Sequence, residues 1–409
     1  MKQTGDLNLV KKINKSLVLD YLRYHSPISR SHIAELTGLT KATVSNLVNE
    51  CIDDQLAYEV GAGESSGGRK PMMLLFHHQA GYAIGVDLGV NYILAALTDL
   101  QGTLVEEYRI SHHNVSLHAV MTDLYAVIRE MIRRTPPSPY GVIGIGIGIP
   151  GICDEQGTVL FAPHLGWKNI PLQQWIEDEF RLPVVIDNEA NAGARGEQQF
   201  SIGKDVEHLI YLSMSMGIGS GLMIKGELYR GVSGFSGELG HMSIMYDGAT
   251  CRCGNSGCWE LYASEQALLR DAKQAFAGQS VLIPVPSMSN VHNATECEPT
   301  SLESLLFLAE QGNHTAIDLF HQLGRFMGIG LVSVIHGFNP QYIIIGGRLA
   351  AAQVWLTSSM NEVIESRSMS YPRSQLSVQF SQLNARSTLL GACSFVITKF
   401  FASTKITRE

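Results

Sequence analysis

Apolar residues recur at helical spacing in three segments near the start of the chain. These segments are residues 14–25, 30–37 and 41–55. Gly38 provides the turn between the second and third segments, and Ser29 and Thr40 are residue types that cap helix N-termini. Helix, helix, glycine turn and helix in this order predict a helix-turn-helix.

Two apolar strands follow the third helix and are separated by the flexible sequence SSGGRKP, which is typical of a wing. We therefore predict a winged helix-turn-helix domain over residues 1–80.

The hydrophobic period changes at Gly81, where strands joined by glycine turns begin to alternate with helices. This mixture predicts a two-lobed α/β domain. We place a smaller lobe at residues 81–198 together with about 382–409, and a larger lobe at residues 199–381, which would hold a metal site and the dimer interface. Residues 277–300 are polar and without a period, so we expect a loop there.

The composition favours a globular protein, with 45% hydrophobic and 17% charged residues. The net charge of −8 excludes a uniformly basic nucleic-acid-binding protein. Residues 1–50, however, carry seven Lys or Arg against four Asp or Glu, a local charge of +3. Any contact with nucleic acid is therefore expected near the N-terminus.

No run of about 20 apolar residues and no signal-peptide core are found in the sequence, so we expect no membrane partner. The seven cysteines are an odd number, and three of them fall within residues 251–258. Both features favour a reducing cytoplasm and a metal site over a set of disulfides.

The third helix carries short polar side chains on the face away from its apolar positions, which suits contact with bases and phosphates. A helix used only for packing would more often carry Glu and Lys pairs there. Two basic residues at the wing tip suit phosphate or minor-groove contact, although such pairs are also common on plain surfaces. The predicted DNA-binding residues are Ser29, Arg30, Thr40, Lys41, Thr43, Ser45, Asn46, Asn49, Arg69 and Lys70.

Three cysteines and one histidine in HMSIMYDGATCRCGNSGCWE have the spacing of a tetrahedral metal site. His241, Cys251, Cys253 and Cys258 would complete the coordination of Zn²⁺ and leave no position for water. We therefore predict one structural zinc ion per chain. The same closed site makes a zinc-dependent hydrolase a poor hypothesis.

Other polar groups suit a carbohydrate site, because carboxylates and amides bind vicinal hydroxyl groups. IDNEAN ends a strand with such groups, although acids are also common at helix starts, and further carboxylates lie near the metal ligands. Trp167 is the aromatic residue we expect to stack on a sugar. The glycine turns DLGVN and MGIGSG are similar to the phosphate loops of actin-like sugar kinases, although ordinary hairpin turns look alike.

The order of these motifs resembles that of the repressor, open reading frame, kinase (ROK) family over nearly the whole chain. The residues that carry the resemblance are DLGVN, GIGIPGICD, PHLGWKNIPL, IDNEANAGARGE, MGIGSG, GFSGELGHM, CRCGNSGCWE and IIIGG. Three further sequences, ISRSHIAELTGLTKATVSNLVNE, SSGGRKP and CGNSGCWELYASE, look most like the xylose repressors of Gram-positive bacteria.

The resemblance implies an actin-like (ribonuclease H-like) sugar-kinase-type domain behind the DNA-binding domain. It also implies a homodimer or tetramer on operator DNA that is released when a sugar binds. His241 would use one ring nitrogen on zinc and the other on a sugar hydroxyl. The implied sugar-binding residues are Gly151, His164, Asn188, Glu189, Glu238, His241 and Glu260.

The chain departs from the family's kinases at three places. Glu189 stands where the kinases use an aspartate as the catalytic base, and its extra methylene moves the carboxylate by about an ångström. Val90 and Asn91 replace glycine and threonine in the first phosphate loop, and Ser215 and Met216 replace glycine and threonine in the second. Retained sugar residues beside altered phosphate loops indicate a sensor and not an enzyme.

The sequence thus predicts a sugar-responsive transcriptional repressor without catalytic residues. The resemblance favours xylose as the inducer, with glucose as the other candidate. The alternative hypothesis is an ATP-dependent sugar kinase with a fused DNA-binding domain.

Overall fold

The computed structural model describes residues 7–62, 71–111, 116–204, 206–232, 234–278, 281–284, 294–297 and 301–404 of the chain. These residues form two compact units. The first unit draws its described residues from Met1–Ile147, Pro171–Ile186 and Ala392–Glu409, and the second from Gly148–Ile170 and Asp187–Gly391. The domain boundaries predicted from the sequence stay a prediction.

Three helices and three short strands make up the N-terminal part of the first unit. They are α1 (Leu7–His25), β1 (Ile28–Ser29), α2 (Arg30–Thr37), α3 (Lys41–Asp53), β2 (Ala57–Ala62) and β3 (Met72–Phe76). The strands pair in the order β1-β3-β2. This is the element order that the sequence predicts for a winged helix-turn-helix, with α1 beginning earlier than residue 14.

Local side chains explain where these helices start and stop. The hydroxyls of Ser29 and Thr40 each accept a hydrogen bond from a backbone N–H in the first turn of α2 and α3, at 3.2 and 3.1 Å. Gly38 ends α2 in the left-handed conformation, with φ +69°. The turn between the two helices therefore follows from three residues that the sequence had marked.

The remaining elements form the α/β part of the chain. Between residues 82 and 200 they are β4 (Tyr82–Leu88), β5 (Tyr92–Asp99), β6 (Leu104–Ser111), α4 (Leu117–Arg134), β7 (Val142–Ile149), β8 (Ile152–Cys153), β9 (Val159–Ala162), β10 (Trp167–Ile170), α5 (Leu172–Phe180), β11 (Val184–Asn188) and α6 (Glu189–Phe200). From residue 209 onward they are β12 (Leu209–Met214), β13 (Ile218–Ile224), β14 (Glu227–Leu228), α7 (Glu260–Ala263), α8 (Glu265–Ala275), β15 (Val281–Pro284), β16 (Ala294–Cys297), α9 (Leu302–Glu310), α10 (His314–Phe338), β17 (Tyr342–Gly346), α11 (Gln353–Arg367), α12 (Ser370–Ser374), β18 (Ser377–Phe380) and α13 (Ser387–Thr404).

Two five-stranded sheets organise these elements, in the orders β11-β7-β4-β5-β6 and β14-β13-β12-β17-β18. In the second sheet, β12 pairs antiparallel with β13 and parallel with β17, and β17 pairs parallel with β18. Its core is formed with α8, α9, α10 and α11. The mixed α/β fold that the sequence predicts is confirmed.

The predicted loop over residues 277–300 is wrong in part, because β15 and β16 pair there as an antiparallel hairpin from Val281↔Cys297 to Pro284↔Ala294. The run VLIP is short and apolar, and such a run reads as a strand only once a partner strand is known. Within the described residues, no helix is long and apolar enough to cross a membrane.

Helix α13 contributes its first residues, up to Gly391, to the second unit and the rest to the first unit. Its last turns share a buried apolar cluster with α1, α2 and α3, which includes Phe401, and the guanidinium carbon of Arg23 lies 4.0 Å from the Phe401 ring centroid. Its first turn packs against α6 in the second unit, where Thr388 donates a hydrogen bond to the backbone oxygen of Glu189 at 3.0 Å. One helix therefore touches the DNA-binding segment and the start of α6.

Glycines allow α6 and α13 to pack backbone to backbone. A Cβ added at Gly196 would lie 2.1 Å from the Ser387 carbonyl oxygen, and one at Gly391 would lie 1.7 Å from the Ala192 carbonyl oxygen. Next to this contact, the buried carboxylate of Glu197 accepts a hydrogen bond from Ser387 at 2.7 Å. The two helices are thus held at a distance that only glycine permits.

Replacing Gly196 with alanine tests this packing. We expect Gly196→Ala to lower the free energy of unfolding by about 1–3 kcal/mol, because the new methyl group must push two backbones apart. Urea unfolding followed by circular dichroism measures the change. Gly337→Ala is the matched control, since Gly337 lies in α10 with no atom within 4 Å of an added Cβ. Equal stability of the two variants would contradict the close contact.

Candidate functional site

Helix α3 carries five of the ten predicted DNA-binding residues. Lys41, Asn46 and Asn49 are exposed, and Thr43 and Ser45 are half-buried. The opposite side of the helix, with Val44, Leu47, Val48 and Cys51, lies in the core. A helix with one buried side and a polar outer side that includes a lysine can be laid against DNA.

Ser29 and Arg30 have structural roles in this segment. Ser29 is buried, with 7% of its surface exposed, and caps α2. Arg30 donates one hydrogen bond to the Ser45 carbonyl oxygen at 3.0 Å and another to the Glu59 carboxylate at 2.8 Å. Ser29 therefore fixes the start of α2, and Arg30 ties α2 to α3 and β2. The predicted wing-tip residues, Arg69 and Lys70, lie outside the described residues.

Four side chains of the second unit meet at the predicted metal site. One ligand atom from each of His241, Cys251, Cys253 and Cys258 lies within 4.8 Å of all the others. The Cys253 and Cys258 sulfurs are 3.6 Å apart, and the Cys251 sulfur is 3.6 Å from His241 Nδ1. Tetrahedral Zn²⁺ with Zn–S of about 2.3 Å and Zn–N of about 2.0 Å would separate its ligands by about 3.5–3.8 Å. The donor set and its spacing fit a bound transition metal.

Glycine makes the chain path around these ligands possible. Gly257 has φ +70°, and a Cβ there would lie 1.7 Å from the Met245 carbonyl oxygen. Backbone hydrogen bonds from Ile244 to Gly257 and from Cys251 to Asn255, at 2.9 and 2.8 Å, close the loop. The ligands are therefore positioned by local backbone structure as well as by any ion.

The two ring nitrogens of His241 face different groups. Nδ1 faces the cysteines and lies 3.5 Å from the Glu260 carboxylate, while Nε2 lies 3.9 Å from the Glu238 carboxylate. Burial raises the pKa of Glu238 above its ordinary value, and the nearby His241 acts in the opposite direction. One imidazole therefore connects the thiol cluster with a group that can accept a hydroxyl hydrogen bond.

His164 and Glu260 extend this polar cluster toward the start of β13. Both lie close to Gly217, whose added Cβ would be 3.0 Å from Glu260 Oε2 and 3.9 Å from His164 Nε2. Burial lowers the pKa of His164 below its ordinary value. His164, His241 and Glu260 line one cavity of about 370 Å³, which is large enough for a monosaccharide.

Asn188 and Glu189 begin α6, next to Gly219 of β13. Asn188 caps the helix and donates a hydrogen bond to the Gly151 carbonyl oxygen at 2.9 Å. Glu189 Oε1 is 3.4 Å from the Ser213 hydroxyl and would be 3.7 Å from a Cβ at Gly219. The structure thus brings the predicted sugar residues to two groups, both next to the first residues of β13.

The aromatic residue at the cavity is Phe161 and not Trp167, which corrects the sequence-based expectation. Trp167 is 2% exposed, whereas Phe161 is 50% exposed and lines the cavity. The two residues lie on the paired strands β9 and β10, where side chains alternate between faces. Which of the two aromatic side chains faces the cavity could be decided only once the register of β9 and β10 was known.

A tyrosine fills the first predicted phosphate loop. The Tyr92 ring lies against Gly89, where an added Cβ would be 2.3 Å from it, and the guanidinium of Arg109 lies 4.7 Å from the ring centroid. Its hydroxyl donates a hydrogen bond to the buried Asp87 carboxylate at 2.8 Å. The space beside Gly89 is therefore taken by a side chain of the same loop.

The second predicted phosphate loop is in contact with the backbone of Arg348. The Arg348 backbone N–H donates to the Ser215 hydroxyl at 3.1 Å. Its guanidinium donates to the Glu265 carboxylate at 2.6 Å and to the Glu303 carboxylate at 2.5 Å. Ser215, which replaces a kinase glycine, thus serves an internal contact.

Sequence reasoning missed Phe161, Tyr92 and Arg348, and also Arg230, whose guanidinium donates to the strand-end carboxylate of Asp187 at 2.5 Å. Asp187 also accepts from the Asn191 amide at 2.8 Å, so it serves the internal structure of the unit. A signal existed only for Tyr92, a bulky residue that directly follows the glycine turn DLGVN.

Known proteins are similar to this chain over most of its length, and they belong to one family. The sequence profile of the ROK family matches residues 83–399. A xylose repressor from Bacillus spizizenii is 40% identical over 407 residues, which covers 98% of this chain and 99% of the relative. A solved ROK family transcriptional regulator, described as a homolog of the Escherichia coli MLC protein, is 29% identical with a TM-score of 0.78 and covers 97% of this chain and 98% of its own.

A second solved structure is an enzyme. The ROK family glucokinase from Streptomyces griseus, in complex with glucose and AMPPNP, is 29% identical with a TM-score of 0.66. The match covers 77% of this chain and 99% of the glucokinase. The α/β part is thus shared with a kinase, and the full length with a regulator.

Replacing one thiol tests the metal site. We expect Cys253→Ser to weaken metal binding at least about tenfold, because a hydroxyl is a poor substitute for a thiolate ligand. Elemental analysis after dialysis against graded chelator measures the loss. Cys153→Ser is the control, since Cys153 lies outside the cluster. Equal metal content in both variants would refute the ligand role.

A pH series tests the burial of Asp87. Burial raises its pKa to about 6, against about 3.9 for an unfolded chain. The folded state therefore binds the proton more tightly, and stability is lost as the pH rises through this interval. Between pH 5 and pH 7 we expect wild type to lose about 1 kcal/mol relative to Asp87→Asn, which cannot ionise.

Urea unfolding at the two pH values measures this difference. Asp178→Asn, at an exposed carboxylate, controls for the loss of one charge. A gap between wild type and Asp87→Asn that stays constant with pH would show that Asp87 titrates normally.

Proposed function

This chain belongs to the ROK family, and we propose that it is a transcriptional repressor that binds operator DNA and leaves it when a monosaccharide binds in its second unit. The observation that carries the proposal is the double use of His241, which faces three cysteines with one nitrogen and Glu238 with the other. The similarity to a xylose repressor over the full length supports the same function.

The sugar would bind beside the first residues of β13. Glu238, His241 and Glu260 would accept and donate hydrogen bonds to its hydroxyl groups, and Phe161 would offer an apolar ring to its carbon face. Xylose is our preferred inducer because of the named relatives, and glucose is the second candidate.

A structural zinc ion is the metal we propose for the cluster, because three thiolates and an imidazole are a common set of ligands for it. When bound, it would hold His241 in one ring orientation and one tautomer. The Nε2 atom would then always point toward Glu238 and the sugar. The metal site would therefore serve sugar recognition without chemistry of its own.

DNA binding would use the outer face of α3, in a homodimer or tetramer on a palindromic operator. Sugar binding would be transmitted from the start of α6 to α13 through the Thr388 hydrogen bond to Glu189. The far end of α13 would pass the change to α1 through Phe401 and Arg23. A switch from 99:1 to 1:99 in DNA-bound states needs about 5.5 kcal/mol of differential affinity, which two bound sugars could share.

A sugar kinase is the second candidate function, because a glucokinase shares the α/β part of the chain. Tyr92 argues against it, since its ring takes space beside Gly89 that a phosphate loop leaves open. Glu189 in place of the kinase aspartate is a further departure. We therefore propose that the chain does not phosphorylate its sugar.

Fluorescence anisotropy on DNA from upstream of the chain's own gene tests the proposal. We expect tight binding by the metal-loaded protein and release by xylose, with no ADP formed when ATP and the sugar are present. Glu238→Gln should need about 10–100-fold more sugar for release while binding DNA normally, because a charged acceptor of the sugar is lost. Glu227→Gln, at an exposed carboxylate of the same unit, is the matched control.

Three outcomes separate the alternatives. DNA binding unaffected by xylose but relieved by glucose would replace the inducer and keep the repressor. ADP formation at a rate that depends on sugar would favour the kinase. A Glu238→Gln variant with the response of wild type would remove Glu238 from the site.

A further inference from the structure

One carboxylate connects the two groups of proposed sugar-binding residues. Asp187 is 7% exposed and lies just before Asn188 at the end of β11. Its Oδ1 atom accepts hydrogen bonds from the Asn188 backbone N–H and from the Asn191 amide, both at 2.8 Å. Its Oδ2 atom accepts a hydrogen bond from the Arg230 guanidinium at 2.5 Å. The strand end that carries Asn188 is therefore tied by a charge pair to a distant part of the chain.

Arg230 lies in the loop that leads from β14 to Glu238. Its backbone oxygen accepts a hydrogen bond from the Ser236 N–H at 3.2 Å, which closes the loop on itself. The Ser220 hydroxyl of β13 donates to the Gly237 carbonyl oxygen. A Cβ added at Gly237 would lie 2.7 Å from the Ser220 carbonyl oxygen. The loop is thus seated on β13 directly before Glu238.

These contacts form a continuous path from Asp187 to Glu238. The path leads through the side chain and the backbone oxygen of Arg230 to Ser236, which stands two positions before Glu238. Arg230 is the only lysine or arginine between residues 226 and 240. No other strongly basic side chain of this loop can therefore replace the pair with Asp187.

We propose that Arg230 is a positioning residue for sugar recognition. Through Asp187 it would hold the loop that ends in Glu238 at a fixed place relative to Asn188. A set of binding groups must be held within about 0.5 Å of its productive geometry, and Glu238 and Asn188 stand on separate segments of the chain. The inference rests on the proposed sugar-binding function and deepens it, because it names what aligns the two groups.

The exposure of the pair favours a local role over a role in folding. The Arg230 side chain is 44% exposed, whereas that of Asp187 is 10% exposed. Ion pairs with a solvent-exposed partner contribute little to stability. We therefore expect variants of Arg230 to fold, to bind metal and to bind DNA as wild type does.

The test measures sugar affinity in full-length, metal-loaded protein by isothermal titration calorimetry with xylose and then glucose, without DNA. Arg230→Gln removes the charge and keeps a polar side chain. Arg230→Lys keeps the charge, and an ammonium can make the contact between one nitrogen and Oδ2 of Asp187. Arg325→Gln is the matched control, since Arg325 is exposed on α10 of the same unit.

We expect Arg230→Gln to raise the dissociation constant of the sugar about 10–50-fold, because the hydrogen bonds of a displaced Glu238 are lost. Arg230→Lys should stay within about threefold of wild type, and Arg325→Gln should match it. DNA affinity without sugar and metal content should stay unchanged in all three variants. A purely structural role would lower these two quantities together with sugar affinity.

A double-variant cycle gives a second, independent readout. Asp187→Asn keeps an oxygen that can accept from Asn188 but loses the charge that binds Arg230. We expect it to raise the dissociation constant to a similar extent. The combination of Asp187→Asn with Arg230→Gln should bind sugar no more weakly than the weaker single variant, because both changes break one interaction.

Four results would overturn the inference. They are wild-type sugar affinity in Arg230→Gln, equal losses in Arg230→Gln and Arg230→Lys, additive losses in the double variant, and weakened release from DNA with unchanged sugar affinity. A wild-type protein that binds neither xylose nor glucose would instead refute the proposed response to these sugars.

Discussion

The position of one imidazole ring determines how the second unit can work. His241 directs Nδ1 to the thiol cluster and Nε2 toward Glu238. A metal ion bound at Nδ1 would fix the orientation and the tautomer of this ring, which a free surface histidine lacks. The glycines around the cluster, and above all Gly257, allow the backbone path that brings the ligands close to this ring. Under the proposed function, recognition of a sugar hydroxyl and the arrangement of the cysteine loop would thus depend on the same side chain.

Much of the candidate site was readable from the sequence because its parts are local. The ligands of the metal cluster lie within eighteen positions from His241 to Cys258, so their spacing alone indicated the coordination. Helix caps such as Thr40 were readable for the same reason, since a cap acts on the next three residues.

The remainder depends on contacts between distant residues or on strand register. Whether Phe161 or Trp167 reaches the cavity depends on which face of a short strand is buried, and a shift by one position reverses it. The ring of Tyr92 over Gly89 depends on how tightly the turn closes. The strands β15 and β16 were likewise not predicted, because each is recognised as a strand only through its pairing with the other, and the sequence around them is polar.

The glycine contact between α6 and α13 has a consequence for how such proteins can diversify. Since Gly196 and Gly391 bring backbone against backbone, and Ser387 and Thr388 bond directly to α6, the contact is made by the two helices themselves. Under the proposed function, loops around the cavity can accumulate substitutions while the contact between α6 and α13 keeps its shape. A change in which sugar is bound would therefore not require a change in the contact between α6 and α13.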